Sequence, residues 1–218
     1  MAGSNIWKNL SRLSLGVVLV LFWGWFYLRA DQLFAGSGWA IDWKAQVQVY
    51  ILFAVIVFGI DTLASRNTER ELFKVSFLKA FPKFLLSAGI SLFILFLFGL
   101  TLKGGALPSI KVALLSVGFG VLLFHALFVA ILEEKVFRGW LWAELRQSGY
   151  SNTLSYVLVA LIFALFHYTL NGDWTSLVLY IPLSFIFTWV KLNYSPRTDM
   201  SNAGVHFAWN LFVLGFMA

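Results

Sequence analysis

Apolar residues run in long stretches along this chain, separated by short polar breaks. The stretches fall at 13–29, 46–64, 84–102, 112–132 with a continuation to 146, 153–170, 174–191 and 201–217. A helix needs about 20 mostly apolar residues to cross a bilayer core, so each stretch is expected to be a membrane helix. The fold class that follows is all-α, a polytopic transmembrane helical bundle of about seven membrane helices. No repeat, low-complexity tract or second domain interrupts it, and residues 1–218 are expected to form one integral membrane domain. The longest polar stretch is 65–83. If 112–146 is a single helix it is about 52 Å long at 1.5 Å per residue, well beyond a bilayer core of about 30 Å. It must then tilt, project or break, with Gly118, Gly120 and Gly139 as weak points.

Composition supports the membrane reading. Hydrophobic residues make up 60% and charged residues 12%, about half the charged share of a soluble domain. Trp and Tyr favour membrane interfaces, and the chain has 10 Trp. The absence of Cys excludes disulfides, thiolate metal sites and thiol catalysis. The first apolar run follows Lys8 and Arg12 as in a signal peptide. However, Trp23, Trp25 and Tyr27 lie near its end, and the small residues Ala35 and Ser37 lie well beyond it. An uncleaved helix is expected.

The net charge of +6 fits the Lys/Arg excess of cytoplasmic loops better than a nucleic-acid partner. With 112–146 crossing once, one side carries Lys8, Arg12, Arg66, Arg70, Lys74, Lys79, Lys83, Arg146, Lys191 and Arg197. The other carries Arg29, Lys44, Lys103 and Lys111. Ten against four gives a multi-pass cell-membrane protein with a cytoplasmic N-terminus and an outside C-terminus.

Ionisable residues inside apolar helices are the candidate chemistry. An Asp, Lys or Arg at a helix centre costs roughly 3 kcal/mol on insertion scales, yet Glu133-Glu134-Lys135-Val136-Phe137-Arg138 lies between two apolar stretches. Glu134 and Arg138 are four apart and so share a helix face on which they can pair. Glu133 points about 100° away, without that partner. A carboxylate in such a place is suited to be a general base. His167 stands in Phe163-Ala-Leu-Phe-His167, and His206 stands four residues before Asn210. Each is equally compatible with a structural hydrogen bond, and Asn often acts as interhelical glue. If 147–152 joins two antiparallel helices, Glu133 and His167 both lie about 20 Å from the turn. His125 reads as a packed or pore-facing residue, and Asp61 and Glu144 as interfacial.

The ordered set Glu133-Glu134-x-x-x-Arg138, Phe163-x-x-x-His167 and His206-x-x-x-Asn210 resembles the three motifs of the CAAX-protease and bacteriocin-processing (CPBP) family of intramembrane proteases. The resemblance covers about 112–217, a protease-like core. It departs from the family only in a charge, Lys135, at a position usually apolar. It implies peptide hydrolysis at or in the membrane. Glu133 would activate a water with help from His167, and His206 and Asn210 would stabilise the oxyanion. Glu134, Arg138 and Phe163 would support them. No cofactor is preferred. Zinc, held by Glu133, His167 and His206, is the metal-dependent alternative. Against it, Asn is a poor zinc ligand and no His-Glu-x-x-His helix is present. The expected partners are a membrane-associated peptide or protein substrate and the lipid bilayer, with no nucleic acid. Other readings are a non-catalytic bacteriocin-immunity or secretion-associated protein on the same scaffold, and a transporter, since buried charges also mark ion paths. The paired broken-helix repeats of many transporters are not seen.

Overall fold

The computed structural model describes residues 13–14, 16–23, 25, 29, 77–102, 119–194 and 200–213. Every regular element among them is helical. In chain order they are α1 (Phe77–Leu102), α2 (Phe119–Glu134), a π-helical segment (Lys135–Leu141), α3 (Trp142–Gln147), α4 (Asn152–Asn171), α5 (Thr175–Tyr194) and α6 (Met200–Phe212). The described residues of the first apolar run are also helical. Among the described residues three helices are long and apolar enough to cross a membrane: Ala80–Gly99, Asn152–Leu170 and Thr175–Tyr194. The expected span 46–64 and most of the 65–83 stretch lie outside the described residues.

One expectation is corrected. The polar stretch does not reach residue 83, because α1 begins at Phe77 and takes in Lys79, Pro82 and Lys83. Pro82 is the sixth residue of α1 and supplies no N–H to the Leu78 carbonyl four residues back. The last apolar run is helical from Met200 in its described part, and residues 214–217 of the expected span lie outside the described residues. Helix does run from Phe119 to Gln147, but through seven residues wound as a π-helix that contain Gly139.

The chain divides into two compact units. One comprises Met1–Glu69 and Val136–Thr188, the other Arg70–Lys135 and Trp189–Ala218.

In the second unit, α6 lies along α1 and also against α2. Its core is Phe84, Ala88 and Ala203, flanked by Leu127, Ile131, Met200 and Phe207. Ala80, Phe84 and Ala88 are buried, and their spacing of four puts them on one stripe. Small residues let the backbones approach, as at interfaces between membrane helices. A Cβ on Gly204 would come within 2.5 Å of the Phe84 carbonyl oxygen and 3.1 Å of the Ala88 nitrogen. The rest of α1 is exposed and apolar, including Leu86, Ile90, Phe93 and Ile94. Only 11% of its candidate span is buried, against 39% for the spans in α4 and α5, so lipid is its natural surrounding.

In the first unit, helix ends are defined by capping. Ser151 precedes α4 and its side chain accepts from the Leu154 N–H at 3.2 Å, which satisfies one of the orphan donors of the first turn. Gly172 ends α4 in the left-handed region, φ 69°, with its N–H on the Tyr168 carbonyl, a conformation glycine adopts without strain. Asp173 then caps α5, accepting from the Thr175 N–H at 3.0 Å. The Thr175 hydroxyl and N–H hold the Asp173 carboxyl below the usual carboxylate range. The Tyr156 hydroxyl donates to the Phe185 carbonyl at 2.6 Å and its ring stacks on Phe185, which ties α4 to α5.

Candidate active site

The second unit buries two carboxylates and an imidazole. Glu133 and Glu134 end α2, 3% and 0% exposed, and His206 on α6 is 1% exposed. His206 Nδ1 lies 2.8 Å from Glu134 Oε1. A carboxylate oxygen accepts, so Nδ1 is the donor. The other ring nitrogen, Nε2, faces Glu133 Oε2 at 3.7 Å. At 3.7 Å this is an electrostatic contact, too long for a hydrogen bond. Glu134 is held at its second oxygen too, where the Asn202 side-chain amide donates to Oε2. Asn202 is fully buried.

The helix provides this arrangement by spacing. Asn202, His206 and Asn210 are four apart on α6 and share a face. The first two reach the two oxygens of Glu134, and the third donates to the Ala126 carbonyl on α2 at 3.3 Å. The contact of Gly204 with α1 fixes the same turn of α6.

The first unit holds the other motif residues. Arg138, in the π-helical segment, is fully buried. Its guanidinium donates to Ser184 Oγ at 2.6 Å, to the Ser184 carbonyl at 3.3 Å and to Thr188 Oγ1 at 3.4 Å. Its Cζ lies 4.3 Å from the centroid of Phe163 and 5.2 Å from that of Phe187. These are cation–π distances that suit a desolvated guanidinium. The Phe163 carbonyl accepts from His167 Nδ1 at 2.9 Å, so in the neutral ring the lone pair is on Nε2. Phe163 packs on the imidazole at 4.4 Å between centroids, and Tyr180 of α5 stacks on it at 3.7 Å and 23°. His167 is 7% exposed.

The structure thus brings Glu133, Glu134 and His206 together and groups Phe163, His167 and Arg138. Four supporting residues were not read from the sequence: Asn202, Ser184, Thr188 and Tyr180. Asn202 carried a signal, since it repeats the spacing of four that links His206 to Asn210. Partners on another helix, such as Ser184 and Thr188 for Arg138, carry none. Glu144, expected at an interface, is buried, on a helix α3 that packs on α4. Asp61 and the His125 side chain lie outside the described parts. Among the described residues no group of three or more His, Asp or Glu side chains is gathered to hold a metal ion.

No curated protein and no solved structure matches the chain. One family model does, described as type II CAAX prenyl endopeptidase Rce1-like, over residues 115–212. That stretch contains Glu133, Glu134, Arg138, Phe163, His167, His206 and the asparagines of α6. Residues 115–212 are accordingly similar to the type II CAAX prenyl endopeptidase Rce1-like family.

Proposed function

We propose that the protein is an intramembrane endopeptidase that hydrolyses a peptide bond with a water activated by Glu133. The observation that carries this reading is the buried Glu133–His206–Glu134 chain within the family-matched stretch. Glu133 takes a proton from water as its oxygen attacks the peptide carbonyl. The tetrahedral oxyanion then needs donors, each typically worth about 3–4 kcal/mol. His206 supplies one from Nε2 when its ring is protonated, with Glu134 on Nδ1 to stabilise that charge, the logic by which an acid orients a catalytic imidazole. Asn210 has one amide hydrogen on Ala126 and offers its second. The motif resemblance gives His167 a part in holding the water; its Nδ1 is committed to the Phe163 carbonyl. On collapse, the proton held by Glu133 passes to the leaving amine.

No step is routed through a metal, since Asn is a poor zinc ligand and a His-Glu-x-x-His helix is absent from the sequence. The test is cleavage of a farnesylated CAAX peptide, and of its unprenylated form, by purified protein. Activity is expected to survive a strong chelator. Loss on chelation and recovery with zinc would overturn the metal-free mechanism. No cleavage of either peptide or of a membrane-anchored reporter would favour a non-catalytic role.

A further inference from the structure

The amide of Asn202 is not explained by the motifs. It is fully buried, its Nδ2 donates to Glu134 Oε2, and its Oδ1 has no hydrogen-bond partner among the described residues. An asparagine kept as glue between helices would be expected to satisfy both ends of its amide. Here one end is left with the cost of a buried polar atom, and the other end is spent wholly on Glu134. That pattern suits a residue retained for what it does to Glu134 rather than for stability.

We propose that Asn202 is a positioning residue for His206, acting through Glu134. A carboxylate bound at one oxygen can swing about its Cγ–Cδ bond. Bound at both, by Asn202 and by His206 Nδ1, it has one orientation. The proton on Nδ1 is thereby fixed, and Nε2 is aimed at Glu133, 3.7 Å away. Asn202 touches no reacting atom in this scheme. It sets which nitrogen of His206 faces the chemistry.

The kinetic arm of the test rests on the proteolytic reading; the spectroscopic arm does not. Full-length protein labelled with ¹⁵N in its histidine rings gives signals that report which ring nitrogen is protonated. The His206 signals are those lost in His206→Gln. In Asn202→Ala we expect the His206 Nδ1–H signal to shift or broaden while that of His167 stays. Turnover of the farnesylated peptide should fall about ten- to hundred-fold in kcat with KM unchanged, as for loss of one buried hydrogen bond to a charged group. Asn202→Leu, which keeps the volume, should behave alike if alanine loosens the helix. An unchanged His206 signal overturns the proposal, whether kcat falls or not, and so does an effect confined to KM. If wild-type protein cleaves no peptide, the proteolytic reading falls, and the His206 signal still decides the positioning role.

Discussion

Arg138 has neutral groups among its partners. A fully buried guanidinium needs donors satisfied and charge dispersed, and Ser184, Thr188 and the faces of Phe163 and Phe187 contribute to both. The short bond to Ser184 Oγ, 2.6 Å, is the strongest on geometric grounds. A hydrogen bond to a charged group contributes about 1.5–3 kcal/mol, so Ser184→Ala is expected to lower thermal stability in detergent by that amount. Ser155 is the matched control. It too is fully buried, but its hydroxyl has no hydrogen-bond partner among the described residues. Ser155→Ala should therefore be neutral or slightly stabilising, since it removes an unsatisfied polar atom. Equal thermal shifts for the two variants would contradict this account of Arg138. At this scale the sequence was partly legible. The cost of burying charge singles out Glu133, Glu134 and Arg138, and helical spacing singles out His206 with Asn210. The choice of partner was not legible, because the four-residue spacing of Glu134 and Arg138 says nothing of Ser184 or Asn202 on helices far along the chain.

The pairing of α6 with α1 depends on one missing side chain. A Cβ on Gly204 would meet backbone atoms of Phe84 and Ala88, and a helix backbone cannot yield as a flexible side chain does. Gly204→Ala is expected to cost about 1–3 kcal/mol through overpacking. On α1, a Cβ added to Gly89 would meet nothing within 4 Å, so Gly89→Ala should be neutral or stabilise by up to about 1 kcal/mol through helix propensity. Thermal unfolding of the two variants checks both signs, and a harmless Gly204→Ala would mean that the helices do not approach as described. Element boundaries follow the same division between local and tertiary causes. The expected runs 153–170 and 174–191 become Asn152–Asn171 and Thr175–Tyr194, because local caps at Ser151, Gly172 and Asp173 stop the helices where the apolar runs stop. The start of α1 at Phe77 was missed because Lys79, Pro82 and Lys83 look like loop. The π-helical turn at Lys135–Leu141 was missed because no spacing in the sequence encodes it.

For the molecule as a whole, membrane orientation remains a consequence of charge. Gln147 and Trp174 flank α4, whose 20 residues rise about 30 Å, one bilayer core. The chain has no Cys, so single cysteines can be introduced without background. Gln147→Cys is expected to react with an impermeant thiol reagent only from the cytoplasmic side, and Trp174→Cys only from the other. The reverse pattern would invert the topology, and labelling of both from one side would mean that α4 does not cross. The all-α class and the three spans found among the described residues were legible at this scale because lipid demands long apolar helices. The division into two units was not, since its boundaries at Lys135 and Thr188 fall inside helices. The central claim is that Glu133 activates the water. The most direct test compares peptide cleavage by wild-type protein and Glu133→Gln, each reconstituted in liposomes and matched for thermal stability. General-base catalysis typically contributes about 10²–10⁴-fold, so kcat should fall by at least two orders of magnitude while the folded protein remains in the membrane. Cleavage by Glu133→Gln at the wild-type rate would contradict the mechanism.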